Sequence, residues 1–334
     1  MEKEKRPFEG INRRDFVQRT GAAAVAFSLL SPATVRAAEA NSKINLGVIG
    51  CGGRGKWITD LFQKHGGYHI AAAADYFQDR VDAFGEKFDV PESNRFTGLS
   101  CYKRLLDSGV DAIAIESPPY FHPEQAAAGV DAGVHVYLAK PIAVDVPGCQ
   151  SIEESGAKAT KNNQVFLIDF QTRAQPLYIE AVKRVHQGDI GTIPSGVASY
   201  HCGRLGKQAE PGTPEARLKN WVFDIALSGD IITEQNIHAI DVATWILDAA
   251  PVSSIMTGGR KVRVDVGDCW DHFVGLFKFP NDTLISFSSK QYGKGFDDIL
   301  CRMYGAEGTI DTHYGGPVNI KGEKPYEGGE TKGI

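Results

Sequence analysis

The feature that most constrains this chain is a short apolar run, Ile44-Asn45-Leu46-Gly47-Val48-Ile49-Gly50, that passes directly into Cys51-Gly52-Gly53-Arg54-Gly55. Such a run, ended by glycine, suits a strand buried on both faces of a parallel sheet. Residues 56–65 then carry Trp57, Ile58, Leu61 and Phe62 at helical spacing. A GxGxxG turn between a strand and a helix, with an acidic residue (Asp75) about twenty positions on, is the fingerprint of a dinucleotide site. The glycines act in different ways. Gly50 permits the tight turn, Gly52 lets the backbone approach a pyrophosphate, and Gly55 lets the helix pack on the strand. Gly53 and Arg54 complete the loop, whose N–H groups and positive helix end face the phosphate charge. Asp75 closes the next strand, where a carboxylate accepts hydrogen bonds from ribose hydroxyls and repels a 2′-phosphate. The expected cofactor is NAD, with NADP left open by Arg54 and Arg80.

The pattern then repeats. A strand over 68–74 ends at Asp75, a helix over 78–88 is closed by Pro91, and a short helix over 102–108 precedes a buried strand over 112–115. Pro118 and Pro119 break the chain before a helix over 123–132, and a strand over 135–138 ends at Lys140-Pro141. Strands alternating with helices at this spacing mean right-handed βαβ units in a parallel sheet. An α/β Rossmann domain is therefore expected over 43–150. From about residue 191 the texture changes: strands are expected over 197–201, 252–257, 270–278, 283–290 and 300–304, with Gly258-Gly259, Pro280-Asn281-Asp282 and Gly305-Ala306-Glu307-Gly308 as turns. A charged, Pro- and Gly-rich insertion over 206–220 leads into a helix over 228–247. This predicts an α+β domain over 151–312, built on an open, mostly antiparallel sheet. Residues 313–334 lack periodicity and read as an irregular tail on a chain that stops before a final element.

The first forty residues differ from the rest. Arg13-Arg14 precede an apolar stretch over 21–30, followed by Pro32 and small residues through Ala38. A charged start, a short apolar centre and a small-residue zone form an export signal, and the paired arginines match the twin-arginine type. A periplasmic or exported location follows, with no membrane partner beyond export. A net charge of −5 offers no footprint for nucleic acid. Six cysteines without CxxC spacing suggest neither a zinc site nor a disulfide framework.

Oxidising a hydroxyl needs a hydride acceptor, a base, and groups that position the alcohol. Lys140 follows a strand, where ligands of parallel sheets sit. Glu234 and His238 are four apart, so a continuous helix puts them on one face with Asp241 and Trp245. Histidine titrates near neutrality and suits proton transfer. A Glu–His pair at this spacing is also a partial zinc site, but no third ligand stands at motif spacing, so no metal is expected.

Four segments in order, residues 48–55 (VIGCGGRG), 111–122 (DAIAIESPPYFH), 133–141 (GVHVYLAKP) and 229–247 (GDIITEQNIHAIDVATWIL), resemble the Gfo/Idh/MocA oxidoreductase family, to which glucose-fructose oxidoreductase and inositol dehydrogenase belong. The resemblance covers about residues 43–310. It implies a Rossmann domain followed by a large open sheet that serves homo-oligomerisation, and a sugar, polyol or sugar derivative in the cleft between them. Lys140 matches the lysine of the family's Glu-Lys-Pro motif, with a cis bond to Pro141; His238 matches the catalytic histidine and Glu234 the acidic residue before it. Ser117, Pro118 and His122 are implied near the nicotinamide, with Lys140 also touching it, and Arg173 near the substrate, where Lys140, His238 and Asp241 are also expected.

Three departures stand out. Ala139 replaces the usual Glu, Glu234 the commoner Asp, and Asn236 the usual Gly. Lys140 is then expected to have a lowered pKa or to take Glu116 or Glu234 as its carboxylate. Because free dinucleotide is scarce outside the cytoplasm, an exported member is expected to keep its cofactor bound and regenerate it within each cycle. The primary expectation is hydride transfer from a sugar or polyol hydroxyl, with Glu234 orienting His238. A redox-assisted glycoside hydrolase and a non-catalytic dinucleotide-binding protein are the alternatives.

Overall fold

The structure, a computed structural model, describes residues 43–331; the expected export signal lies outside the described residues. The first unit is a six-stranded parallel sheet in the order β3-β2-β1-β4-β5-β6. Its strands are β1 (Ile44–Ile49), β2 (Tyr68–Asp75), β3 (Arg95–Thr97), β4 (Ala112–Ile115), β5 (His135–Ala139) and β6 (Phe166–Asp169), with α1 (Gly53–His65), α2 (Gln78–Phe88), α3 (Cys101–Leu106), α4 (His122–Asp131) and α5 (Val146–Lys161) between them. Burial on both faces explains the apolar runs: Leu46 and Val48 pack with Phe84 and Phe88 on one side, while Ile49, Ile113 and Ile115 pack with Leu105 and Val130 on the other. Strand order reverses between β1 and β4, and ligands of doubly wound sheets bind in the crevice at that switch.

The boundary expected at residue 150 is too early. β6 pairs in parallel with β5, Val136 against Phe166 through Ala139 against Asp169, so the parallel unit runs to Asp169. The sequence 166–169 is too short to announce itself as a strand, and only its pairing defines it.

After α6 (Gln171–Ala174) and α7 (Pro176–His186), the second unit is an eight-stranded sheet. It contains β7 (Ser195–Cys202), β8 (Ser253–Gly259), β9 (His272–Lys278), β10 (Leu284–Gln291), β11 (Asp298–Tyr304), β12 (Gly308–His313), β13 (Pro317–Gly322) and β14 (Tyr326–Glu330). Their order is β14-β13-β12-β11-β7-β10-β9-β8. All neighbours are antiparallel except β7 and β10. The expected irregular tail is thus two strands. Val318 and Ile320 on β13 are fully buried in the core, and the Gly and Lys residues around them mask an alternation of only two core positions.

One face of this sheet packs on α7 and α11 (Ile237–Leu247), burying Tyr178, Val182, Val242 and Ile246 against Ile285, Phe287 and Met303. The other face leaves Ile255, Val274, Leu276 and Leu284 exposed. The single helix expected over 228–247 is broken. α8 (Pro214–Lys219) and α9 (Ile225–Ser228) precede α10 (Asp230–Glu234), and Gln235 and Asn236 interrupt before α11. Neither breaker is Gly or Pro. The cause is tertiary: Asn236, 1% exposed, donates Nδ2–H to Ser289 Oγ at 2.9 Å. Gln235 Oε1 accepts from Gln291 on the same strand, β10.

Candidate active site

The glycine loop has the geometry its sequence requires. Gly50 has φ +99°, and a Cβ there would lie 2.5 Å from the Glu116 carbonyl carbon. A Cβ on Gly55 would lie 1.9 Å from Gly50 O, whereas one on Gly53 would meet nothing within 4 Å. α1 starts behind Gly52 with no side chain capping it, so its first N–H groups are left for an anion. A cleft of about 530 Å³ lies over this loop, lined by Gly50 to Lys56, Asp75, Arg80, Ser117 and Pro118. Asp75 accepts from Cys51 N at 2.8 Å and Phe77 N at 3.0 Å, which fixes its carboxylate at the rim. An uncapped helix start, glycine at four of the six loop positions 50–55 and a rim carboxylate fit a dinucleotide. The insertion covers this cleft with Gln208, Leu218 and Lys219, joined by Trp221 just after it, and Lys219 Nζ lies 5.0 Å over the Phe77 ring.

A second chamber of about 430 Å³ adjoins it and shares Arg54, Glu116, Ser117 and Trp221 with its lining. Lys140, Glu234 and His238 meet here. The Lys140–Pro141 peptide is cis. Lys140 Nζ donates to the Glu234 main-chain carbonyl at 2.5 Å and pairs with Glu234 Oε1 at 3.1 Å. The helix break explains the first contact: His238 N donates to Gln235 O, not to Glu234 O, which leaves that carbonyl free for the lysine. Glu234 is thus the carboxylate that Ala139 fails to provide.

His238 is 7% exposed, between Tyr200 (ring centroids 6.4 Å apart) and Tyr314 (5.2 Å). Burial, then the charges of Lys140 and Arg54, hold its pKa well below the usual histidine range, so the ring is neutral at pH 7. Its Nδ1 has no hydrogen-bond partner among the described residues. The expectation that Glu234 orients His238 is therefore corrected: Glu234 is committed to Lys140, and the tyrosines flank the imidazole.

Other expected residues lie elsewhere. Arg173 and Asp241 line neither cleft; they form a forked ion pair with each other, at 2.9 Å from both Nε and Nη2, and Arg173 also stacks 5.3 Å from the Trp245 ring. Their opposite charges satisfy each other beside the chamber, where the short α6 instead points Gln171 inward. His122, 1% exposed, sits behind the site with Nδ1 2.8 Å from Pro141 O and Nε2 2.8 Å from Ser117 O. Burial lowers its pKa to about 4. The neutral ring carries one N–H and donates to only one of these carbonyls; it lies between the Ser117 and Pro141 turns without lining either cleft.

Sequence reasoning missed several lining residues. Tyr314 follows β12, Tyr200 lies within β7, and Trp221 follows the insertion; none carries a local signal. Asp169 ends β6 as Asp75 ends β2, but only the pairing of β6 with β5 reveals that position. It joins Arg54, whose Nε lies 3.0 Å from Glu116 Oε2.

Comparison with known proteins agrees with the two-unit fold. Residues 44–169 match the profile described as the oxidoreductase family with an NAD-binding Rossmann fold, and residues 178–311 match the GFO/IDH/MocA C-terminal domain. The chain is 23% identical over 290 residues to myo-inositol dehydrogenase Hyg17 of Streptomyces leeuwenhoekii, covering 86% of this chain and 80% of that protein. It is 23% identical over 276 residues to the scyllo-inositol 2-dehydrogenase (NAD(+)) of Bacillus subtilis, covering 80% and 73%. Among solved structures, the aldose-aldose oxidoreductase of Caulobacter crescentus, complexed with glycerol, superposes with a TM-score of 0.70 at 20% identity, over 85% of this chain and 83% of that one.

Proposed function

Because the chain belongs to the GFO/IDH/MocA family of NAD-binding oxidoreductases, we propose that its substrate is a cyclic polyol, sugar or sugar derivative held in the chamber of Lys140 and His238. The observation that carries this reading is the meeting of Lys140, Glu234 and a neutral His238 in a chamber that adjoins the dinucleotide cleft. Bound NAD⁺ supplies the hydride acceptor. Lys140 Nζ, held by Glu234, directs a proton at the substrate oxygen and stabilises the alkoxide that develops there. His238, neutral and with a free Nδ1, accepts the hydroxyl proton. Gln171 and Gln235 offer amides to the remaining hydroxyls of the ring. The two inositol dehydrogenase relatives support a polyol. The test is NADH formation from purified protein with NAD⁺ and a panel of inositols and aldoses; His238→Ala should remove it, and unchanged turnover in that variant would refute the site.

The finer reading is an exported protein that keeps its dinucleotide and assembles with copies of itself. The twin-arginine motif supports export. The cover formed by Gln208, Leu218, Lys219 and Trp221 supports retention, and exposed Ile255, Val274 and Leu276 support assembly through the open face of the sheet. Retention also favours a second reading, a redox-neutral glycoside cleavage in which a ring hydroxyl is oxidised and later reduced. Aryl glycosides distinguish the two: chromophore release without net NADH selects cleavage, and NADH accumulation with a free polyol selects dehydrogenation. Nucleotide released on denaturing the purified protein tests retention, and cell fractionation tests export.

A further inference from the structure

Moving a hydride from an alcohol leaves one proton behind for each pair of electrons transferred. In the chamber described above, neither His238 nor Lys140 is suited to keep that proton. The His238 ring disfavours a charge because it is buried beside Lys140 and Arg54. Lys140 is engaged by the main-chain carbonyl and Oε1 of Glu234. A proton accepted at this end of the chamber therefore has to move on.

Glu116 has the properties of a destination. It follows β4 at the point where strand order reverses, with its N–H fixed on Ile49 O at 2.7 Å. It lines both the dinucleotide cleft and the substrate chamber. Its carboxyl is fully buried, and Oε1 has no hydrogen-bond partner among the described residues. Oε2 lies 3.0 Å from Arg54 Nε, but Arg54 has a second carboxylate in Asp169, so Glu116 is not needed to neutralise it. The charged and titratable groups facing it are Arg54 from α1, Lys140 and Tyr137 from β5 and its end, and Asp169 from β6. Burial raises its pKa to about 7, Arg54 pulls it down and Asp169 pushes it up.

We propose that Glu116 holds the substrate-derived proton while the cofactor is reduced, and returns it when the cofactor is reoxidised. The step balances: alcohol, NAD⁺ and Glu116 carboxylate become carbonyl, NADH and Glu116 carboxylic acid. The hydrogen of the C–H bond leaves with both electrons, and the O–H proton ends on Glu116. Glu116 loses its negative charge in the same step that removes the positive charge of the ring, so the net charge of the buried site is unchanged. That matters at low dielectric, where an uncompensated charge is costly. The inference rests on the hydride-transfer reading.

The test needs no substrate. The purified full-length protein is freed of any bound dinucleotide and reloaded with NADH or with NAD⁺ in weak buffer, and proton uptake is read with an indicator dye and by the infrared band of a protonated carboxyl. The wild-type protein should take up a proton with NADH near pH 7 and not with NAD⁺, and the carboxyl midpoint should rise by about one to three pH units when NADH replaces NAD⁺. Glu116→Gln should abolish both signals. Glu116→Asp should restore uptake with a displaced midpoint, which keeps the test decisive if the glutamine variant folds poorly. Wild-type protein without NADH-linked uptake, or a folded Glu116→Gln protein with unchanged uptake, overturns the proposal. Polyol turnover without such uptake refutes this inference alone. Uptake in a protein that turns over no polyol or sugar refutes the substrate reading and leaves the assignment of Glu116 standing.

Discussion

Replacing Gly55 by alanine tests whether the approach of α1 to β1 is what shapes the dinucleotide site. The added Cβ would lie 1.9 Å from Gly50 O, where ordinary contact begins at 3.4 Å. Both groups are backbone, so relief requires the loop and the start of α1 to separate by about 1.5 Å, the difference of those distances. Overpacking of this kind costs about 1–3 kcal/mol. The same movement displaces the N–H groups that meet the pyrophosphate, and displacements of about 1 Å are costly for positioned groups. A rise in the NAD⁺ dissociation constant of about 10- to 100-fold is expected, or roughly 1.4–2.7 kcal/mol. Calorimetric titration with NAD⁺ and thermal unfolding read the two effects. Gly156→Ala is the control of opposite sign. Gly156 lies inside α5, and the nearest neighbour of an added Cβ would be Phe166 Cδ1 at 3.8 Å. The helix should gain about 0.5–1 kcal/mol. Wild-type NAD⁺ affinity and stability in Gly55→Ala would refute the steric reasoning.

Other outcomes follow from the same geometry. Lys140→Met strands the buried Glu234 carboxylate and should destabilise the fold by about 3–5 kcal/mol, and adding Glu234→Leu should recover much of the loss in chemical denaturation. His238→Asn should lower kcat by about 10²- to 10⁴-fold, while the melting temperature changes little because Nδ1 makes no hydrogen bond to lose. Asp271 accepts from the main-chain N–H groups of Lys261, Val262 and Arg263 and lies 2.7 Å from the His272 ring. Those contacts outweigh its burial and hold its pKa at about 2. A depressed folded-state carboxyl stabilises above its unfolded pKa of about 3.9 and loses that contribution as pH falls through the folded value. Asp271→Asn should therefore cost about 1–3 kcal/mol at pH 7 and much less near pH 2, as measured by urea denaturation at both pH values.

Much of the first unit was legible because its signals are local. An apolar run buried on both faces, a glycine turn and a helix are encoded within about twenty residues, and β1, α1, β2 and Asp75 stand where expected. Elements defined by their partners were not legible. β6 is four residues long and β3 three, and each is a strand only because β5 or β2 lies beside it. β13 and β14 were masked by their Gly and Lys content, although Val318 and Ile320 reach the core. The site divides the same way. Lys140, Glu234 and His238 were identified from their motifs, and Glu234 was one of the two carboxylates expected for Lys140; the choice between Glu116 and Glu234 was not legible. Helical spacing put Glu234 with His238, and a break made by Asn236 and Ser289 gave it to Lys140. The family resemblance placed Arg173 near the substrate and a shared helical face placed Asp241 there, yet the two pair with each other and line neither cleft.

By itself the sequence determined the parallel sheet, the glycine loop over its first strand and the residue types that carry the chemistry. These depend on periodicity and on steric limits at single positions, which neighbours along the chain decide. Only the tertiary structure decided which charges face which. Lys140 and Glu234 are 94 residues apart, and Arg54 and Asp169 are 115 apart. Coulomb energy and desolvation depend on distance and burial in space, and no spacing along the chain encodes either. For that reason the burial of the Glu116 carboxyl, at the seam of two clefts, is decided only by the way α1, β4, β5 and β6 come together.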